Sequence, residues 1–157
     1  MIHTPLVSWC WRALPGWGKR LILWLSNAHF VVGAVAVVHD RNGRVLVARH
    51  TYRAGPPWGL PGGWVRRGED PAETVVREVR EETALEVEVT APLTVQVSGP
   101  GHLTLIYRAR LIGGTFRPSG EVPEVRFLER GTWPAGMRAD HRALIETYAS
   151  EDQRVAD

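Results

Sequence analysis

The stretch from residue 63 to 85, GWVRRGEDPAETVVREVREETAL, constrains the fold of this chain more than any other. It begins as a loop and then carries the signals that start a helix: Asp70 can cap it, Pro71 suits the first helical position, and Glu73 can reach back to the cap. Apolar residues then recur at spacings of three, four and seven as far as Thr83, which predicts a helix with one side against a core. The core-facing positions are Ala72, Val75, Val76, Val79 and Thr83.

Three glutamates lie along one edge of this apolar stripe. At about 100° per residue, Glu78, Glu81 and Glu82 fan out beside the stripe. A solvated acidic surface is one interpretation, because Arg77 lies four residues from both Glu73 and Glu81 and forms favourable pairs. A bound divalent cation is the other, because Glu78 and Glu82 are like charges four residues apart and repel each other. Carboxylate-only ligation suits Mg²⁺ or Mn²⁺ rather than zinc, and the spacing alone leaves both interpretations open.

The same stretch resembles the signature of the Nudix hydrolases, G-x5-E-x7-R-E-U-x-E-E-x-G-U, where U is aliphatic. Gly63 opens the match, Glu69 follows after five residues, and Arg77 follows after seven more. All specified positions agree except one, since Ala84 stands where the family has the glycine that ends the helix. The resemblance continues more loosely from about residue 30 to 148 and does not explain residues 1–29.

The resemblance implies a role for each acid. Glu81 and Glu82 would bind the metal, with Glu78 as a further ligand or general base and the Gly63 carbonyl as another ligand. Arg77 would pair with Glu69 and so orient the acids. A further acid on loop 113–123 or just after it would complete the site, and Glu121 is slightly favoured over Glu124. The expected catalytic residues are therefore Glu78, Glu81, Glu82, Arg77 and Glu121.

The implied reaction is hydrolysis of the pyrophosphate bond in a nucleoside diphosphate linked to another group, with Mg²⁺ or Mn²⁺ as cofactor. A catalytically weak Nudix-like module that only binds a nucleotide is the alternative, and loss of the acids would be its mark. The branch that isomerises prenyl diphosphates would need a cysteine in the core domain, and the only cysteine is Cys10.

Three residues outside the signature are candidates for substrate binding. Arg49 and Arg53 flank the expected site and can meet phosphates, although solvated arginines would look the same in sequence. Trp58 can stack on a base, although a buried tryptophan at a strand end is the plainer interpretation. The six histidines are scattered and are interpreted as surface or strand-end residues.

The expected fold is an α/β/α sandwich. A β-branched run at residues 30–38, a turn at Asp40–Gly43 and a run at 44–49 predict a hairpin. Pro61-Gly62-Gly63 is interpreted as a turn into the signature. Further strands are expected near 85–97, 102–112 and 125–128, and a helix at 139–149. The mixed sheet would carry the signature helix on one face and the C-terminal helix on the other.

The first 29 residues form a tryptophan-rich extension with interleaved basic residues. A helix from about 18 to 28 is expected, packed on the domain or on a second subunit; a peripheral membrane helix is the alternative.

Residues 30–150 would form the Nudix domain and 151–157 a tail. A single cysteine fits a reducing, cytoplasmic location, and a net charge of +2 gives no indication of a nucleic-acid polymer as partner. The expected partner is a small nucleotide derivative, with a homodimer as a further candidate.

Overall fold

The computed structural model describes residues 5–149, and the chain divides into one unit that ends at Phe30 and another that begins at Val31. The first unit holds helix α1 (Pro5–Ala13) and helix α2 (Gly16–Ser26). The sequence predicted one helix here, so α1 is an addition. Helix α2 begins directly after Pro15, whose extended backbone cannot continue α1. The predicted tail, 151–157, lies outside the described residues. Within those residues, no helix is both long enough and apolar enough to cross a membrane.

The second unit is a seven-stranded mixed sheet with two helices. Its elements are β1 (Val31–His39), β2 (Val45–Arg49), β3 (Trp58–Gly59), β4 (Gly62–Trp64), α3 (Pro71–Thr83), β5 (Leu85–Gly99), β6 (His102–Gly114), β7 (Glu124–Leu128) and α4 (Ala139–Ala149). The main strand order is β3-β2-β1-β6-β5. The short strands β3 and β4 were not expected from the sequence; the bounds of the other elements agree with those expected to within two or three residues.

Strand β1 is the centre of the sheet. It pairs in parallel with β6 along its whole length, from Val31 opposite His102 to His39 opposite Arg110. The predicted hairpin with β2 forms only at its turn, where His39 faces Val45. Beyond that point β2 pairs with β3 and β7 instead, and β4 pairs with β1. The sheet therefore opens between β1 and β2.

Alternate side chains of β1 supply the two halves of the core. Ala34, Ala36 and Val38 are buried in one cluster, together with Val75 and Val79 of α3. Val37 points to the other side, into a cluster with Leu144 and Ile145 of α4. Since a strand's side chains alternate between faces, each face of the sheet carries one helix. The α/β/α sandwich predicted from the sequence is confirmed.

Helix α3 starts and stops where the sequence signals predict. The Asp70 side chain accepts a hydrogen bond of 2.8 Å from the Ala72 N–H, and Pro71 occupies the first turn. The helix ends at Ala84, which adopts the left-handed conformation with φ 59° and ψ 15°. Ala84 is the one non-glycine residue with positive φ in the described part of the chain. It therefore does what glycine usually does at this position, at a cost in backbone strain.

Candidate active site

A cavity of about 850 Å³ lies between the N-terminal loop of α3, strand β4 and the loop before β7. Helix α3 contributes its three predicted acids to the wall, and the loop 119–121 contributes a fourth. The cavity thus gathers four carboxylates from two distant parts of the chain. Its lining residues are Tyr52, Gly62, Gly63, Trp64, Arg66, Glu78, Glu81, Glu82, Ser119, Gly120 and Glu121.

Arg77 ties the loop before α3 to the acids on the helix. Its guanidinium donates two hydrogen bonds to Glu69, of 2.7 and 3.0 Å, one of 2.6 Å to Glu78 and one of 3.1 Å to Glu81. Glu69 also accepts from the Arg66 N–H and the Thr74 hydroxyl. These hydrogen bonds, with that from Arg77 the strongest cause, lower the pKa of Glu69 to about 2. The planar guanidinium makes four hydrogen bonds to three carboxylates, which is more than the three donors of a lysine ammonium can make.

The Gly62–Gly63 pair is part of strand β4, so the turn expected there is wrong. Gly62 faces Val35 and Gly63 faces Ala34 across the antiparallel ladder. A Cβ atom on Gly62 would overlap the Ala34 carbonyl oxygen, and one on Gly63 would overlap the Glu78 carboxyl group. Glycine at both positions therefore lets β4 reach β1 and lets the Glu78 carboxylate lie against the β4 backbone.

Glu82 is the buried acid of the group, with 5% of its surface exposed. Its Oε2 atom has no hydrogen-bond partner among the described residues. Burial, together with the negative charges of Glu78 and Glu121, raises the pKa of Glu82 to about 8. Oε1 lies 3.7 Å from Nδ1 of His50, a buried histidine whose pKa burial lowers to about 4. In the absence of a cation, this environment therefore favours the protonated form of Glu82.

These carboxylates suit a hard divalent ion. A dication in place of the proton would give the unpaired buried carboxylate oxygen a partner. It would also neutralise the charges of acids that otherwise repel one another. Oxygen donors are also what Mg²⁺ and Mn²⁺ prefer. Within residues 5–149, no three His, Cys, Asp or Glu side chains already converge at ligand distance. Glu78 and Glu81 each give one carboxylate oxygen to Arg77, so metal ligation would use the other oxygen of each.

The structure distinguishes between Glu121 and Glu124, the two candidates for the further acid of the site. Glu121 lines the cavity. Glu124 lies at the start of β7, opposite Arg49 in the sheet register, and pairs with Arg126 at 2.7 Å. The loop that carries Glu121 is held by Thr51, whose N–H donates 2.9 Å to the Glu121 carbonyl. This contact joins the end of β2 to the loop, and nothing in the local sequence indicates it.

Only one of the three predicted substrate-binding residues faces a cavity. Arg53 lines a second cavity of about 420 Å³, which shares Tyr52 and Gly62–Trp64 with the first. Arg49 is an exposed strand-end residue, and Trp58 is buried with the Arg126 guanidinium over its ring at 4.6 Å. Neither lines the two cavities. The second cavity is also lined by polar side chains, including Gln96, Ser98, His102, Thr104 and Arg138, and by the apolar side chains of Val35, Leu60 and Leu144.

Two of the histidines interpreted as surface or strand-end residues are buried: His50 lies at a strand end, as one of the two interpretations allows, whereas His141 lies in a helix. His50 follows directly on β2 and contacts Glu82. His141 on α4 accepts a hydrogen bond of 2.8 Å from the Leu60 N–H, and burial lowers its pKa to about 3. A signal for His141 was present, because it precedes Leu144 and Ile145 by three and four positions on the apolar side of α4. No such signal existed for His50.

Comparison with known proteins gives a consistent result. The model of the NUDIX domain matches residues 29–148. An ADP-ribose pyrophosphatase from Methanocaldococcus jannaschii is 30% identical over 83% of this chain and 78% of its own length. The 8-oxo-dGDP phosphatase NUDT18 from Homo sapiens is 29% identical over 83% of this chain, which spans only 42% of that protein. A NUDIX hydrolase structure from Nitrosomonas europaea superposes with a TM-score of 0.73 at 21% identity, covering 82% of this chain and 74% of that one.

Proposed function

Because the chain belongs to the Nudix hydrolase family, we propose that its cavity of carboxylates hydrolyses the pyrophosphate bond of a nucleoside diphosphate linked to a second moiety. The protein is a hydrolase that acts on acid anhydrides in phosphorus-containing compounds. The cofactor we propose is Mg²⁺ or Mn²⁺, and the products are two phosphate esters formed by attack of water on phosphorus.

One observation carries this proposal. Glu78, Glu82 and Glu121 come from two chain segments and lie close enough for the charges of the first and last to raise the pKa of the second. Burying a carboxylate beside two others costs free energy. Acids that served only as a solvated surface would have no reason to carry that cost. The arrangement is explained if these carboxylates hold a dication, which would neutralise their charge.

The ligands we assign are Glu78, Glu81, Glu82 and the Gly63 carbonyl oxygen. When bound, the ion neutralises the pyrophosphate, fixes its position and acidifies a water molecule. Glu121, which faces the α3 acids across the cavity, is proposed to accept a proton from the attacking water. Arg77 is a positioning residue, since it acts through Glu69, Glu78 and Glu81 and lies outside the cavity lining.

The second cavity is proposed to hold the part of the substrate that does not react. It opens beside Gly62–Trp64, so a pyrophosphate at the acids would direct one of its two substituents there. Arg53 is the substrate-binding residue we retain: its Nη1 atom is buried and has no hydrogen-bond partner in the described part of the chain, so it can donate to an oxygen of the ligand. The ring pair of Trp64 and His102, with centroids 5.8 Å apart, lies at the same cavity.

The acids are tested by neutral replacement at constant shape. Glu82→Gln and Glu81→Gln should each lower metal-dependent turnover by several orders of magnitude, because the ligand charge is lost while the fold is kept. Glu73→Gln is the matched control, since Glu73 lies exposed on the same helix and should leave turnover within about twofold of the parent. Circular dichroism verifies folding of each variant. Near-normal turnover of either ligand variant would contradict the assignment.

The substrate is identified by a panel. ADP-ribose, oxidised nucleoside phosphates, dinucleoside polyphosphates and sugar nucleotides are each incubated with Mg²⁺ or Mn²⁺, and phosphate is measured after phosphatase treatment of the products. ADP-ribose and 8-oxo-dGDP enter the panel because the two curated relatives are named for them. Calorimetric binding of a nucleotide without any turnover would instead support the alternative, a nucleotide-binding module.

The proposed organisation is an extension at 1–29, a Nudix domain at 30–150 and a tail at 151–157. We propose that the protein works in the cytoplasm and needs no nucleic-acid polymer. For residues 1–28 we propose peripheral membrane contact, which was the alternative to packing on the domain or on a second subunit, and a homodimer is the possibility that its experiment has to distinguish.

A further inference from the structure

Helix α2 exposes an apolar face. Trp17, Leu21, Trp24 and Leu25 recur at helical spacing and share one side of the helix. Trp17 is 72% exposed, Trp24 61% and Leu25 68%, and Gly18 is the one buried residue of α2. Isolated exposed apolar residues are normal on a protein surface, but a contiguous stripe on one helix indicates a binding surface.

The charge around this face has one sign. The first acidic residue of the chain is Asp40, and before it come three bases: Arg12, Lys19 and Arg20. This segment therefore carries a charge of +3, whereas the rest of the chain, with 16 bases and 17 acids, carries −1. Arg20 borders the apolar face of α2, and Lys19 lies on the opposite side of the helix. The helix is about 10 Å across, which is about one Debye length at physiological salt. If the apolar face lies on a charged surface, both bases are therefore close enough to interact with that surface.

Helix α1 repeats the pattern on a smaller scale. Trp9 is 69% exposed, Trp11 is also exposed, and Arg12 follows in the last turn. Tryptophan is the side chain that favours the boundary between water and lipid, because its ring is apolar and its N–H still finds a hydrogen-bond partner there. Four of the seven tryptophans lie in these two helices.

From these features we infer that α1 and α2 (the N-terminal helix pair) dock the protein on an anionic lipid surface, with Trp17, Leu21, Trp24 and Leu25 inserted at the headgroup level. A helix of 11 residues lies in the interface and does not span the bilayer, which takes about 20 residues. The inference makes specific the membrane contact proposed above and is independent of the hydrolase assignment.

The experiment uses the full chain and two kinds of vesicle. One kind is phosphatidylcholine alone, and the other contains about one third phosphatidylglycerol, enough to give a negative surface potential. Each basic residue near such a surface strengthens binding by about fivefold, so sedimentation should favour the anionic vesicles by roughly a hundredfold at low salt. The preference should shrink as salt is added. Brominated lipid should quench tryptophan fluorescence on binding.

Two variants locate the docking face. Trp17→Ala/Trp24→Ala should lower binding to anionic vesicles by at least about tenfold, since each ring removes a large apolar area from water. Its control is Val97→Ala, an exposed apolar truncation on β5. Arg20→Gln should lower binding by about fivefold, and its control is Arg41→Gln, which makes the same charge change at the exposed turn after β1. Circular dichroism and hydrolase activity without vesicles, both unchanged, show that the variants are folded.

Three results would overturn the inference. They are equal binding to neutral and anionic vesicles, equal binding of the parent and the double tryptophan variant, and a lipid-free dimer that the double variant abolishes, which would assign the face to a second copy of the chain. Vesicle binding by a protein that hydrolyses nothing in the substrate panel would overturn the proposed hydrolysis alone. Turnover without vesicle binding would overturn only the lipid inference.

Discussion

Replacing Ala84 by glycine should stabilise the protein. Ala84 ends α3 with φ 59° and ψ 15°, and its N–H donates 2.9 Å to the Arg80 carbonyl, so the geometry is that of a left-handed helix cap. A Cβ atom in this conformation costs about 1–2 kcal/mol. Glycine removes that strain but adds about 0.4–1 kcal/mol of backbone freedom to the unfolded chain. The net gain is therefore about 0.5–1 kcal/mol.

The measurement is reversible unfolding of the parent and Ala84→Gly, with EDTA present so that metal binding does not contribute. For a chain of this length, a gain of 1 kcal/mol raises Tm by about 2–4 °C. In urea the midpoint should rise with an unchanged slope, because the surface exposed on unfolding is the same. The matched control is Ala143→Gly in the exposed middle of α4. It should lower stability by about 1 kcal/mol, because glycine is a poor helix former.

The critical result is that the same change, alanine to glycine, should raise the stability at position 84 and lower it at position 143. If Ala84→Gly lowered the midpoint as Ala143→Gly does, the left-handed cap would not be the conformation of Ala84 in solution. The helix exit would then differ from the one described, and the position of Glu82, two residues earlier, would need revision.

Three further outcomes are expected. Arg77→Lys should lower kcat by about 10–100-fold, with unfolding little changed, because a point charge cannot hold Glu69 and Glu78 in one plane; steady-state kinetics measures it. Gly63→Ala should abolish turnover, since its Cβ would displace the Glu78 carboxyl group, and a normal kcat would refute that contact. The pKa of Glu82 is raised from 4.5 to about 8, so its contribution to stability is complete below pH 4.5 and lost as the pH rises through 8. Metal-free protein should therefore melt several degrees lower at pH 9 than at pH 6, and Mg²⁺ or Glu82→Gln should remove most of the difference in a thermal scan.

The parts of the site that the sequence predicts are those whose geometry is local. The spacing of Glu78, Glu81 and Glu82 fixes their common side of α3 through the helical repeat alone. The pairing of Arg77 with Glu69 was implied by the signature, and the structure brings the two within 2.7 Å. These contacts span at most eight residues, so a short sequence pattern contains the information needed to form them.

The parts that the sequence does not predict depend on contacts between distant segments. Strands β1 and β6 lie side by side although about 70 residues separate them, and a parallel pair has no turn between its strands that would indicate its register. The choice between Glu121 and Glu124 depends on Thr51, which fixes the loop of Glu121 from the end of β2. His50 likewise lies against a residue that is distant in the sequence, since its Nδ1 atom is 3.7 Å from the Glu82 carboxylate on α3.

The Gly62–Gly63 pair shows how a local pattern can be correct in composition and still be misinterpreted. Successive glycines beside a proline indicate a turn, yet these two residues form a strand that pairs with Ala34 and Val35. The reason is steric. Small residues on β1 allow α3 to approach the sheet, and the missing Cβ atoms on β4 leave room for both the Ala34 carbonyl and the Glu78 carboxylate. The glycines are required by close packing from two sides, and neither partner is adjacent to them in the sequence. A substitution at Gly62 should therefore disturb the β1–β4 ladder and lower mainly the stability. A substitution at Gly63 should displace Glu78 first and lower mainly the turnover.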